Sequence, residues 1–219
     1  FLKAWPDRLP DDVAAAIREA GEAAFRDYAD DPAIAAFWRP AFDRAARWTA
    51  AAERTRREAL GVARVLAEEK GAANFAAPGG VFILEARADR IDLLKDGRIA
   101  IVDVKTGAPP TKAAIESGAD PQMALEAAIA LHGAFGPVSG RETAEIAIWQ
   151  VGGQSAAKAV ALDAVKVAAA LENAWTGVQT LVAGFDDENT PYLSEPGGMS
   201  GYSDYRALAR LSDEVEDRA

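Results

Sequence analysis

The sequence predicts an α/β sandwich built around a mixed β-sheet with helices on its flanks. Apolar residues recur at helical spacing through the front of the chain, and the period changes to that of strands at Gly79-Gly80. The strand pair that follows is succeeded by a helix, two strands and another helix, an order that suits a layered α/β core.

In residues 11–30, Val13, Ile17, Ala20, Ala24 and Tyr28 repeat on one helix face. Asp31-Pro32 starts a further helix. Arg39-Pro40 should break or kink it, because proline lacks an N–H and its ring crowds the preceding turn. A longer helix then carries Phe42, Ala45, Trp48 and Ala52 on one side and reaches Ala59 or beyond. Arg44, Arg47, Arg54, Arg56 and Arg57 lie mostly off that stripe. They read either as a solvated face with partners such as Glu53–Arg57, or as a groove that tracks phosphates.

Residues 81–94 read as a long strand, and residues 98–105 as its partner. Lys95-Asp96-Gly97 lies between them, and Asp-Gly between two apolar runs is a strong hairpin signal. A loop over 106–119 leads to Asp120-Pro121, an N-cap followed by proline at the first helical position. The helix 122–132 stops at Gly133. Strands follow at 143–151 and 157–162, and Asp163 caps a helix carrying Val167, Leu171, Ala174, Val178 and Leu181 that ends at Gly184. Residues 185–203 are rich in Gly, Pro and acids and read as loop, and a short helix at 204–214 precedes a charged tail. The chain reads as a single domain with a helical part over 1–75, a core over 76–184, and a closing loop and helix over 185–219.

Composition narrows the chemistry. The 219 residues include no cysteine and a single histidine, His132. That excludes a cysteine-held zinc or iron–sulfur cluster and a thiol nucleophile, makes a Ser-His-Asp triad improbable, and fits a reducing, cytoplasmic compartment. Any metal would rest on carboxylates. No apolar run approaches the roughly 18 residues of a membrane span, and no signal peptide is visible, so no membrane partner is expected. A formal net charge of −10 argues against a free-standing, charge-driven nucleic-acid binder.

The hairpin carries the unusual residues, EARADRID on one strand and IVDVKTG on the next. Asp103 and Lys105 are two apart, so their side chains leave the same face. Two carboxylates from adjacent strands, Asp89 and Asp103, would repel unless a hard divalent cation lay between them. A lysine alongside could orient or deprotonate a water for attack on a phosphodiester. Spacing alone also allows a solvent-facing strand end with an Asp–Lys ion pair. Register separates the two. A two-residue Asp96-Gly97 turn would send the carboxylates to opposite faces, whereas a loop of Lys95, Asp96 and Gly97 closed by Leu94 and Arg98 sets Asp89 opposite Asp103. Gly97 would then take a left-handed conformation. Simple alternation places Glu85, Arg87, Asp89, Asp103 and Lys105 on one face, and Phe82, Leu84, Ala86, Ala88, Val102 and Val104 on the other.

ARADRID…GRIAIVDVKTG resembles the nuclease core of the PD-(D/E)XK superfamily, specifically its RecB-like branch. Asp120-Pro121-Gln122-Met123 stands where that branch begins its glutamine helix. The AFWRPAFDRAARW run and the closing YSDYRALARL resemble the C-terminal part of the AddB family, a subunit of bacterial AddAB helicase–nucleases that process double-strand DNA breaks. The resemblance implies a restriction-endonuclease-like core and a DNA exonuclease dependent on Mg²⁺ or Mn²⁺, with DNA and an AddA-like subunit as partners. It makes Asp89 and Asp103 metal ligands, adds the Val104 carbonyl, and makes Lys105 the catalytic lysine, with Gln122 holding the lysine or the DNA backbone. Asp92 is expected in a structural ion pair, with Arg90 as its partner. A catalytically inactive nuclease fold that guides DNA is the alternative.

The chain departs from that pattern in places. Ala86 replaces a glycine, Val104 a tyrosine and Glu126 the tyrosine of the glutamine helix, and the iron–sulfur cysteines of some AddB proteins are absent. RecB-like nucleases usually carry a metal-binding histidine upstream of the hairpin, and none precedes Asp89 here. The expectation is that the chain, which starts at Phe1, begins downstream of it and is impaired alone. His132 reads as a helix-end or surface residue.

Overall fold

The computed structural model describes residues 1–28, 31–152 and 157–191. The helix expected at 204–214, and the loop beyond residue 191, lie outside the described residues. Among those described, seven strands form one mixed sheet in the order β5-β4-β1-β2-β3-β6-β7. They are β1 (Val62–Ala77), β2 (Gly80–Leu94), β3 (Ile99–Lys105), β4 (Ala134–Phe135), β5 (Val138–Ser139), β6 (Thr143–Gln150) and β7 (Lys158–Asp163). Only β3 and β6 run parallel; the remaining neighbours are antiparallel.

Helices cover both faces. On one side lie α1 (Val13–Phe25) and α2 (Arg39–Leu60), on the other α3 (Lys112–Ser117), α4 (Gln122–His132) and α5 (Ala164–Phe185). The interior strand β3 is therefore buried on both faces over its first four residues, and Ile99, Ala100, Ile101 and Val102 are all 0% exposed. That explains its unbroken apolar run, which a half-solvated strand would not show. Ile91, Ile99, Ile101, Ile146 and Ile148 pack with Ile129 of α4 and with Leu171 and Trp175 of α5. Val102, Ala147 and Trp149 face Trp48 and Ala52 of α2.

Several elements fall where the sequence places them. Asp31 caps its helix by accepting from the Ala33 N–H, and Asp163 caps α5 by accepting from Lys166. Pro40 does not end the helix: it occupies the first turn of α2, straight after a π-helical turn at Ile34–Trp38 that shifts the hydrogen-bond ladder.

Other elements differ. The helical part expected over 1–75 ends at Leu60, and β1 runs where helix was expected. Its sequence, rich in Ala, Glu, Leu and Lys, favours helix locally, and pairing with β2 along nearly its whole length overrides that preference. A stop signal was present in Gly61, which closes α2 in the left-handed region at φ 62°. The loop at 106–119 contains α3, capped by Thr111. Pro121, not Asp120, is the N-cap of α4, and no side chain caps it. Gly133 ends α4 against β1, where a Cβ would meet the Ala72 carbonyl oxygen at 2.0 Å. Only glycine allows that approach.

Candidate active site

The hairpin turn sets the site. Gly97 adopts φ 90°, the Leu94 N–H donates to the Arg98 carbonyl at 2.9 Å, and the Gly97 N–H donates to the Leu94 carbonyl at 3.0 Å. Asp96 accepts from the Arg98 N–H at 3.0 Å. This is the three-residue loop the register argument requires. It pairs Leu93 with Ile99, Asp92 with Ala100, Ile91 with Ile101 and Arg90 with Val102. Continued by one step, that register would set Asp89 opposite Asp103.

The ladder itself stops there, and side chains take over. Asp89 Oδ2 accepts from the Val104 N–H at 3.2 Å, tying the first strand to the second. On the other edge of β2, Glu68 has φ 64° and the Glu68–Asp89 pair drops out of the β1–β2 ladder. Side-chain alternation slips at this point. The expected division of faces consequently fails for the outer part of β2. Phe82, Leu84, Ala86 and Ala88 join the same core as Ile91 and Ile101, the core against α4 and α5, and do not oppose Asp103.

Asp103, Lys105, Gln122 and Glu126 form one connected cluster between β3 and α4. Lys105 Nζ lies 3.1 Å from Asp103 Oδ2 and donates to Gln122 Oε1 at 3.2 Å. Gln122 Nε2 donates to Asp103 Oδ1 and to Glu126 Oε1, each at 3.2 Å. Asp103 and Glu126 are each 4% exposed. Although Lys105 stands within ion-pair distance of Asp103 Oδ2, its angle is poor for a hydrogen bond, and that buried oxygen receives no donor. Burial pushes the Glu126 carboxyl up to about 7, and the Asp103 and Asp89 charges push the same way against the hydrogen bond from Gln122.

Sequence reasoning counted Glu126 only as a missing tyrosine. The signal that could have found it is a lone carboxylate, one turn after Gln122, in the otherwise apolar MALEAAIAL. His132 is exposed in the last turn of α4 and stacks on Trp175 with ring centroids 4.7 Å apart. Asp92 faces α2, accepting from Arg90 at 2.7 Å and Arg56 at 2.6 Å, in the structural pairing expected for it.

The donors at this strand end suit a hard divalent cation. Among the described residues, no three acidic or histidine side chains converge as a ready metal cage. Asp89, Asp103 and the Val104 carbonyl would be its oxygen ligands, and one Asp103 oxygen is buried without a hydrogen-bond donor.

The raised Glu126 carboxyl has a consequence for stability. With chelator present, the folded protein keeps this proton up to about pH 7, whereas the unfolded chain releases it near the ordinary glutamate value of 4.5. Folding binds the extra proton in that window, so stability falls as pH rises through it. Glu126→Gln should remove up to roughly 3 kcal/mol of that loss and raise Tm at pH 8 relative to the parent. Parallel Tm-versus-pH curves for the two proteins would refute this.

Among the described residues, no helix is long and apolar enough to cross a membrane. The chain is 38% identical over 72 residues to an uncharacterized protein of Rickettsia bellii, and 46% identical over 48 residues to uncharacterized proteins of Rickettsia conorii and Rickettsia felis. Those matches cover 33% and 22% of this chain, but only 9% and 6% of the relatives' length. A solved structure described as "Crystal structure of SSO0001" matches over 82% of each chain at 10% identity and a TM-score of 0.30, too low to bear on function. The profile of the PD-(D/E)XK nuclease superfamily matches residues 2–197, and with that match across nearly the whole described chain, this protein belongs to the PD-(D/E)XK nuclease superfamily.

Proposed function

We propose that the chain is a DNA exonuclease module of the AddB kind, dependent on Mg²⁺ or Mn²⁺, within a double-strand-break-processing helicase–nuclease that includes an AddA-like subunit. The observation that carries this reading is the convergence of Asp89, Asp103, Lys105 and Gln122 on the open end of β3.

In this reading Asp89, Asp103 and the Val104 carbonyl would hold the cation, which would supply charge stabilisation at the phosphate and a more acidic water. Lys105, held from two sides by Asp103 and Gln122, hydrogen-bonds the attacking water and the non-bridging phosphate oxygens. The water oxygen forms the new bond to phosphorus and gives up a proton to solvent, as the ester oxygen departs with the electron pair and takes a proton from solvent. The net charge of −10 fits a module whose DNA is delivered by the rest of a complex.

The test is cleavage of linear and covalently closed circular duplex DNA by the intact protein assembled with its AddA-like subunit, with Mg²⁺, with Mn²⁺ and with chelator. Linear DNA should be degraded from its ends only when metal is present. Equal cleavage of closed circles, or cleavage in chelator, would overturn the exonuclease reading. Folded protein that neither binds metal nor cleaves would favour an inactive, DNA-guiding role.

A further inference from the structure

We propose that Glu126 is a positioning residue for Lys105 and acts through the side-chain amide of Gln122. The proposal rests on the nuclease reading above and adds a residue to it.

An amide carries one acceptor oxygen and two N–H donors, and its usefulness depends on which way it points. Gln122 places its nitrogen between two carboxylates, 3.2 Å from Asp103 Oδ1 and 3.2 Å from Glu126 Oε1. Its oxygen is thereby left to accept from Lys105 Nζ at 3.2 Å. Above about pH 7, where Glu126 is ionised, a flipped amide would set its oxygen against two carboxylate oxygens and its donors against an ammonium. Both contacts are repulsive, so the acceptors fix the orientation.

Asp103 alone is a divided anchor, because it also pairs with Lys105 and belongs to the carboxylates offered to a cation. Glu126 is 4% exposed, and among its described hydrogen bonds the one partner is Gln122. It sits one helical turn beyond Gln122, on the same face of α4, where i and i+4 side chains meet. A buried carboxyl among apolar neighbours is costly, and its only evident return is the orientation of that amide.

The test compares Glu126→Leu, Glu126→Gln, Gln122→Ala and the double variant Gln122→Ala/Glu126→Leu. Glu126→Leu should lower kcat about 10-fold, as losses behind a directly acting group do, with KM nearly unchanged. Glu126→Gln keeps an acceptor oxygen and should retain most of kcat. In the double variant Glu126→Leu should add nothing to Gln122→Ala, because its effect runs through Gln122. A second readout needs neither metal nor DNA: the side-chain NH₂ resonances of Gln122 in ¹⁵N-labelled protein should shift in Glu126→Leu and stay in place in Glu126→Gln. Glu126→Ala replaces Leu in the series where Leu is not accommodated. Multiplying effects in the double variant, unmoved Gln122 resonances, or a loss confined to KM would overturn the proposal. An intact parent assembly that does not cleave DNA would instead sink the nuclease reading, with the resonances still judging the role of Glu126.

Discussion

Lys105→Ala and Asp103→Asn are each expected to lower metal-dependent DNA cleavage by about 10³-fold while shifting Tm by only a few degrees. The activity loss follows from the kind of work assigned to them. A positioned proton-handling or charge-stabilising group is typically worth ~10²–10⁴-fold, and removing a metal ligand adds to that. The small stability effect follows from where the side chains sit. The Lys105 side chain is 35% exposed, so its pairing with Asp103 is partly screened by water. Asp103 is buried beside the Glu126 carboxyl, which its charge pushes up, so losing that charge relieves Glu126 as it removes the pairing with Lys105. Asn keeps the volume and can still accept from Gln122. Single-turnover cleavage of linear duplex at saturating Mg²⁺, with thermal melts on the same samples, measures both quantities. Undiminished, metal-dependent cleavage by Lys105→Ala would remove it from the mechanism.

Turn chemistry made the core of this site legible before any coordinates. Asp-Gly with a lysine before it admits two loop lengths, and only one sets Asp89 opposite Asp103; the observed pairing of Arg90 with Val102 is that register. The helix after it begins at Gln122 and ends at His132, within the bounds read from Pro121 and Gly133. Alternation failed farther out on β2 because it assumes an unbroken ladder, and the left-handed backbone of Glu68 is a property of β1, which local pattern had concealed under helix-forming residues. Charged residues on α2 misled for a related reason. Its apolar stripe does pack inward through Phe42, Trp48 and Ala52, but the helix also buries Ala46, Ala50, Glu53 and Arg56. Sequence distance hides the partners that make such burial tolerable. Arg44, Arg47 and Arg54 are exposed, as a solvated face requires, but Arg56 and Glu53 are not.

Glu53→Leu is therefore expected to be among the most damaging substitutions outside the candidate site, at about 3–5 kcal/mol, or a fall in Tm of roughly 10 °C. Glu53 is 0% exposed and binds Arg90 through both carboxylate oxygens while also pairing with Arg57 at 3.2 Å. Arg90, itself 2% exposed, stacks over Trp149 and holds Asp92, which in turn binds Arg56. Removing Glu53 strands the Arg90 guanidinium in the interior with one anion shared between two arginines. The pairwise expectation separates this electrostatic cost from lost packing. Glu53→Leu/Arg90→Leu leaves Asp92 with Arg56 at 2.6 Å, and Arg57, which loses its counterion in either variant, keeps the Trp5 carbonyl at 2.9 Å. The double variant should thus be more stable than Glu53→Leu alone, since apolar side chains can replace a buried ion pair at little net cost. Chemical denaturation of the parent, both single variants and the double variant completes the cycle. A double variant less stable than Glu53→Leu would show that Arg90 holds β2 to α2 through its stacking on Trp149 and not through Glu53.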